Sequence, residues 1–271
     1  EKDVVFCDTR FANFYQVNPE LATTGAPSSA FFNSIHPNDM PAVSEAVRKA
    51  TEEHKDFSVE HRIIQKNGST RWVIGRGRAQ YSSLGKAIRM SGAIIDITER
   101  KQMEAILDGQ RRALELTIHG APLNAILEAI VKTLETQSTR KIIASILLLS
   151  PDGKYLQRGA APGLSQAYCD AIESVPIGPG MGSCGTAAFI QREVVVEDVM
   201  TDPLWKDFRQ WGVSENFCAC WSTPIFSSQG KLLGTMAIYY PQPVQPMVQE
   251  RDVVKLLSDT ASLVIERYQN D

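Results

Sequence analysis

Asp96-Ile97-Thr98-Glu99-Arg100-Lys101, or DITERK, and the polar helical run that follows it to Ile118 are the stretch around which this chain is organised. Before it, a strand-rich pattern closes on Gly92-Ala93-Ile94-Ile95. After it, a second unit starts with its own helix at Pro122. Asp96 and Thr98 are residue types that cap helix N-termini, and acid and base follow directly in Glu99, Arg100 and Lys101. Met103, Leu107, Gln110, Leu114 and Thr117 then recur at 4-3-4-3 spacing, with Ile106 and Ala113 on the flank. That is a heptad-like seam, weakened by Gln110 and Thr117. It fits a tether helix packed on its own domain. It also fits a helix that pairs across a dimer and relays a signal between the two units. In that second reading Asp96, Ile97, Thr98, Glu99, Arg100, Met103, Leu107 and Leu114 are the relay residues.

The length of 271 residues predicts about two domains. Hydrophobic content of 43% with 22% charged residues lets each half bury a core. A net charge of −3 and a pI near 5.9 argue against a nucleic-acid or anionic-membrane surface. No apolar run approaches the roughly 20 residues of a membrane-spanning helix. The chain opens without Met or a signal-peptide pattern, so the expectation is a cytoplasmic piece of a longer polypeptide. The five cysteines, Cys7, Cys169, Cys184, Cys218 and Cys220, are odd in number and scattered, which suits a reducing compartment rather than a disulfide framework.

In the first unit, Val4 to Phe6 and Phe11 to Tyr15 read as short strand or turn-flanking segments, and Ser28-Ser29 open a short helix. His36-Pro37-Asn38-Asp39 stops that helix and starts another, with Asn38 or Asp39 as cap and Val43, Ala46, Val47 and Ala50 as an apolar stripe. Phe57, Val59, His61 and Ile63 alternate along a strand that turns at Lys66-Asn67-Gly68. Arg71 to Gln80 and Ile88 to Ile95 supply two more strands. Arg71 and Glu60 are placed to pair across adjacent strands.

Ile35-His36-Pro37-Asn38-Asp39, Glu60-x-Arg62, Asn67-Gly68-Ser69-x-Arg71-Trp72-Val73 and Gly92 through DITERK resemble a PAS domain of the bacterial sensor type over nearly all of residues 1–101. The resemblance implies the fold and leaves the ligand open. The default role of His36 is a turn hydrogen bond rather than a haem ligand. The Asn-Cys-Arg-Phe-Leu segment of flavin photosensors is missing, which argues against a light-driven cysteinyl adduct.

His119-Gly120-Ala121-Pro122 breaks the connecting helix, with Gly suited to the C′ position and Pro to N1 of the next helix. Leu123, Ile126, Leu127, Ile130, Val131 and Leu134 give that helix an apolar face. Ile142 to Leu149 reads as a central strand and Tyr155 to Ala160 as its partner. Then come a helix from Ser165, a glycine-rich loop over 178–183, a helix to Gln191, the strand Val194-Val195-Val196 and a helix opened by Asp202-Pro203. A hairpin of Cys218 to Ser227 and Lys231 to Tyr240 leads to a last helix from Val248 to about Tyr268. This order predicts an antiparallel sheet with helices on one face, the first and last of them together.

Gly180-Met181-Gly182-Ser183-Cys184-Gly185-Thr186-Ala187-Ala188, Val195-Val196-Glu197-Asp198-Val199, Thr201-Asp202-Pro203-Leu204-Trp205, Cys220-Trp221-Ser222-Thr223-Pro224-Ile225 and Leu233 through Tyr240 resemble a GAF domain over residues 122–268. The expected architecture is therefore α+β in two domains, each an antiparallel sheet flanked by helices. The PAS-like unit takes residues 1–101, the connecting helix 97–121 and the GAF-like unit 122–271.

A ligand pocket in the second unit would place a small anion or polar metabolite above the glycine loop, at the N-terminus of the helix through Gly185. Cys184, Gly185, Thr186, Asp198, Trp205, Trp221, Ser222 and Thr223 are the residues expected to converge on it. In the alternative arrangement the glycines serve only tight packing and the tryptophans are core. An enzymatic reading comes from a likeness of Cys184 to Ala187 to GAF-fold free methionine sulfoxide reductases. That chemistry needs a thiolate at a helix N-terminus and a resolving thiol nearby. The segment after Asp202-Pro203 reads Leu-Trp-Lys-Asp-Phe, with no cysteine. Cys218-x-Cys220 is not a zinc spacing, so no metal is expected. The bilin-bearing cysteine segment and the cyclic-nucleotide signature are also missing, and no haem, flavin or bilin cofactor is expected.

Together these readings predict a sensory fragment without catalysis of its own. It would bind a small-molecule ligand, pair as a homodimer through its connecting and terminal helices, and feed its own C-terminal output domain. The first choice of output is a histidine kinase and the second a cyclic-di-GMP enzyme. Contact with nucleic acid or membrane is not expected.

Overall fold

The computed structural model describes residues 3–66, 68–138 and 140–270; Asn67, expected at a turn, lies outside the described residues. The chain divides into two compact units, Glu1–Met103 and Glu104–Asp271.

The first unit begins with β1 (Val4–Val5), α1 (Thr9–Phe14), α2 (Pro19–Thr24), β2 (Ala26–Pro27) and α3 (Ser28–Phe32). The segment expected as strand or turn at Phe11 to Tyr15 is mostly the helix α1. Asp8 caps it by accepting from the Phe11 N–H at 2.7 Å. A 3-10 turn at Pro37–Asp39 leads into α4 (Met40–Glu52), and His36 Nδ1 accepts from Asn38 N at 3.2 Å. Asp39 makes no side-chain cap for α4; its carboxylate is committed to Arg62 instead. The strands β3 (Phe57–Ile64), β4 (Thr70–Tyr81) and β5 (Ala87–Asp96) form an antiparallel meander, while β1 pairs with β2. Their inner face and the short helices enclose Ala12, Tyr15, Phe31, Ile35, Val43, Ile63 and Val73.

The helix α5 runs from Thr98 to Ile118. It ends by a backbone device in which Ala121 N donates to Leu116 O and Gly120 N to Thr117 O, with Gly120 at φ +70°. This is the left-handed stop that only glycine adopts without penalty. The next helix, α6 (Leu123–Gln137), is therefore separate.

The second unit continues with β6 (Ile143–Leu149), β7 (Tyr155–Ala160), α7 (Gln166–Ala171), β8 (Val175–Pro176), α8 (Gly182–Ile190) and β9 (Val194–Val196). A 3-10 turn (Pro203–Trp205), α9 (Arg209–Glu215), β10 (Ala219–Phe226), β11 (Leu232–Tyr240) and α10 (Val248–Asn270) complete it. Its six-stranded sheet has the order β8-β7-β6-β11-β10-β9. On one face α6 and α10 pack together over Ala144, Ile146, Trp221, Met236 and Ile238. Helices are not confined to that face, as the sequence pattern suggested. Residues of α7 and α8 cover the other face through Tyr168, Cys169, Cys184, Ala187 and Ala188 over Leu147, Cys220 and Tyr239. The reason is that α8 is buried continuously from Ser183 to Ala188, as a helix with no polar face must be.

The stripe of α5 buried in the second unit is Ile106, Gly109, Ala113 and Thr117, which shares only Thr117 with the heptad-like seam. Gly109 is required there, because a Cβ on it would lie 2.4 Å from the Thr133 side chain of α6. Ala is the better helix former by about 1 kcal/mol, but such overpacking costs about 1–3 kcal/mol. Gly109→Ala is accordingly expected to lower stability in urea titrations. In a Thr133→Ala background the loss should be smaller, since only the Cβ of residue 133, at 2.9 Å, would still meet the added methyl.

Candidate functional site

DITERK is clamped to the outer face of the first sheet. Thr98 N donates to Asp96 Oδ1 at 2.9 Å, Trp72 N donates to Thr98 Oγ1 at 2.9 Å, and Ile97, buried, donates its N–H to Trp72 O at 2.9 Å. Arg100 Nη2 and Lys101 Nζ each reach the Glu60 carboxylate at 2.6 Å and hold it below its ordinary range, Lys101 contributing most. Trp72 lies between two cations, with Arg62 and Lys101 each 5.3 Å from its ring centroid. Glu99 is exposed in the first turn of α5.

The expected Glu60–Arg71 pair does not form. The register sets Glu60 opposite Ile74 and Arg71 opposite Ile63, so the two side chains project from opposite faces. Arg71 pairs with Asp96 at 3.4 Å instead. Of the other relay candidates, Met103, Leu107 and Leu114 are 50%, 54% and 43% exposed and form an apolar stripe with Ile118 at 69%. Gln110, between them, donates to Leu256 O and Thr260 Oγ1 of α10.

Behind the same sheet lies a cavity of about 840 Å³, which sequence reasoning missed. Phe11, Phe14, Phe31, Phe57, Tyr15 and His61 are among the residues that line it. His61 is only 2% exposed, and its Nε2 is 2.8 Å from the Tyr15 hydroxyl. Burial pushes the imidazole below its ordinary value, opposed by the backbone of Val59 and the Asp39 carboxylate. Burial also pushes the Tyr15 phenol up. Among the described residues no partner of acceptable hydrogen-bond geometry meets His61 Nδ1, although the Val59 backbone lies close enough to act on the ring. The available signal was a histidine at an inward position of the alternation Phe57, Val59, His61, Ile63.

In the second unit the expected convergence holds only in part. Cys184, Trp205 and Ser222 stand on the α8 side of the sheet, where Trp205 Nε1 donates to Ser183 Oγ at 2.8 Å. Trp221 and Thr223 do not join them, because alternation along β10 turns them to the α6–α10 side. There Trp221 Nε1 donates to Glu193 at 3.2 Å, and Arg251 lies over its ring. Asp198 is spent on its own loop, accepting from Met200 N at 2.8 Å. Gly185 is a packing residue, since a Cβ there would lie 2.3 Å from the Pro176 carbonyl. Thr186 is buried, its hydroxyl unpaired among the described residues. The cavity bounded by Cys184, Tyr168, Trp205, Trp211 and Tyr239 measures about 90 Å³. Cys184 is 8% exposed, and burial pushes its thiol up despite the Ser222 and Thr235 hydroxyls beside it.

These two folds and their cavities define a class, and the comparisons agree with it. Residues 4–94 match the family model of the PAS fold and residues 120–266 that of the GAF domain. The chain belongs to the GAF-domain family and carries a PAS domain ahead of it, forming a tandem of sensory domains. It is similar to the methyl sulfide methyltransferase-associated sensor of Methanosarcina acetivorans, at 32% identity over 252 residues, 93% of this chain and 25% of that protein. It is also similar to a blue-light-activated histidine kinase of Brucella anthropi, at 47% identity over 51 residues, 19% of this chain and 10% of that one. The chain thus spans a quarter or less of the length of these relatives. Among solved structures, the GAF domain of a phosphoenolpyruvate-protein phosphotransferase from Coxiella burnetii shares the fold. Its TM-score is 0.51 at 17% identity, covering 62% of this chain and 96% of that one.

Two predictions follow from this geometry. Iodoacetamide at neutral pH should label Cys7 and Cys218, which are partly exposed, and spare the buried Cys169, Cys184 and Cys220 until the protein is unfolded, as read by mass spectrometry. The Arg62 guanidinium holds Asp39 below its ordinary carboxylate value, so this pair stabilises the PAS unit fully above about pH 4. The contribution disappears as pH falls through the lowered Asp39 value. Asp39→Asn should cost about 2 kcal/mol at neutral pH and flatten that acid limb. Urea unfolding followed by hydrogen exchange in β3 to β5 reads both effects.

Proposed function

We propose that this chain is the ligand-sensing and relay portion of a signalling protein whose output is a histidine kinase. One observation carries the reading. The aromatic cavity of the PAS unit is lined in part by His61, and the preceding residue on β3, Glu60, holds the first turn of α5 from the opposite face. A ligand that shifts β3 acts on α5 through one strand. The cavity has the size of a metabolite site, whereas the GAF interior has room for about a few waters. The GAF unit then serves as a relay and pairing domain. A kinase output is supported by the similarity to a histidine kinase. The sulfoxide-reductase alternative loses support from the burial of Cys184 and its raised thiol pKa, since the attacking species would be a thiolate.

Dimerisation is proposed through the α5 stripe of Met103, Leu107, Leu114 and Ile118, an exposed apolar row at helical spacing. Light scattering should report a dimer, and Leu107→Glu with Leu114→Glu should weaken it at least tenfold while the circular dichroism spectrum of the folded chain is kept. A strict monomer at high concentration defeats this part. For the sensing part, 2-acetylnaphthalene serves as probe. Its binding should change amide exchange in the first turn of α5, and Glu60→Gln should remove that change while leaving affinity intact. Binding that leaves α5 unaffected in the unsubstituted protein would refute the relay.

A further inference from the structure

The PAS cavity runs along the bare edge of a strand. Met90, Gly92, Ala93, Ile94 and Ile95 of β5 all line it. Successive residues of a strand point to opposite faces, so a space that touches all of these meets the strand edge-on. β5 ends the three-stranded sheet and pairs with β4 alone. In such an edge strand every second residue turns both its N–H and its C=O away from the neighbour. Among the described residues, no backbone group of residues 88–95 bonds outside the β4 ladder. The side chains around this edge are mostly spent on the protein itself. Asp8 accepts from Phe11 N at 2.7 Å and Asp96 from Thr98 N at 2.9 Å. Ser28 donates to Asp3, and the Tyr15 hydroxyl and the His61 ring meet each other. Arg10 and Arg76 are exposed, and alternation from Gly75, which abuts Phe57, turns Arg76 to the opposite face. Phe11, Phe14, Phe31 and Phe57 supply rings, which pack favourably against another ring.

We propose that the cavity takes a flat, uncharged heteroaromatic lactam, whose ring packs among the phenylalanines and whose adjacent N–H and C=O pair with the C=O and N–H of one β5 residue. The bare edge recognises this ligand as it would a neighbouring strand, by one donor and one acceptor side by side. A charged ligand is outside the class, because the two carboxylates at the cavity are committed and the two arginines stand in water. The proposal rests on the reading of this cavity as a ligand site.

The test titrates the whole chain with three probes: 2-quinolone; N-methyl-2-quinolone, which lacks the donor; and octahydro-2-quinolinone, which keeps the lactam and lacks the aromatic ring. 2-Quinolone should bind about tenfold tighter than its N-methyl analogue, because the methyl removes a hydrogen bond and also covers a backbone C=O. It should bind about fivefold tighter than the saturated lactam, the worth of one ring contact. In ¹H–¹⁵N spectra at least one amide of residues 88–95 should move downfield with 2-quinolone. Equal affinities for the two quinolones, or β5 amides that 2-quinolone leaves unmoved, overturn the role of the strand edge and leave the cavity reading intact. Equal affinities for 2-quinolone and the saturated lactam overturn the aromatic requirement. Failure of all three probes to bind overturns the cavity reading itself, and a capped Val-Thr-Val-Thr-Val peptide that binds in their place assigns the bare edge to strand addition instead.

Discussion

The contact on which the proposed relay depends is the shared hold of Glu60 on Arg100 and Lys101. An exposed ion pair alone is worth little, since water screens it and two long side chains must be ordered. Here the carboxylate is one part of a larger set. Lys101 also lies over Trp72, Trp72 is backed by Arg62, and Arg62 is tied through three hydrogen bonds to Asp39. The backbone of Trp72 and the hydroxyl of Thr98 close the ring. Each member orders the next, so the entropy of fixing them is spread over the network. The clamp stands on the same strand as His61, one residue away, and strand alternation sends the two side chains to opposite faces.

The second unit shows a different physical logic. Its sheet is covered on both faces, which is why β10 and β11 are buried almost throughout. The glycine-rich loop brings α8 close to the β8 backbone, and the aromatic side chains of α7, α9 and the 3-10 turn fill the remaining space. Tyr168 meets Trp211, Phe217 and Tyr239 edge-on at 5.5 to 6.0 Å. At the glycine-rich loop that reads in the sequence as a candidate anion cradle, Gly185 packs tightly against the Pro176 carbonyl.

The architecture was legible because its signals are local. Cap residues mark the start of α5, Gly120 and Pro122 mark its end, and alternation marks β3 to β5. The errors lie where a side chain had two local uses or where partners are distant in sequence. Asp39 was open to capping or pairing, and Arg62, twenty-three residues on, took it. Asp8 starts α1, yet the apolar run Phe11 to Tyr15 hides the helix because it is too short for a period to show. Trp221 and Thr223 belong to a motif whose neighbours Cys220 and Ser222 face the other way, so adjacency in sequence did not mean convergence in space. His61 needed the fold, because an inward histidine on a strand is silent until its neighbours are known.

Gly109 against Thr133 has a mechanical consequence. The Thr133 side chain fills the space that a Cβ at Gly109 would occupy, so the two helices are keyed like a pin in a slot. Sliding α5 by one turn, about 5.4 Å, would bring Ala105 or Ala113 to that slot and drive a methyl group into Thr133. Axial travel by a turn is therefore opposed at this crossing by about 1–3 kcal/mol of overpacking. In the proposed relay, a one-turn axial shift of α5 would meet this contact head-on.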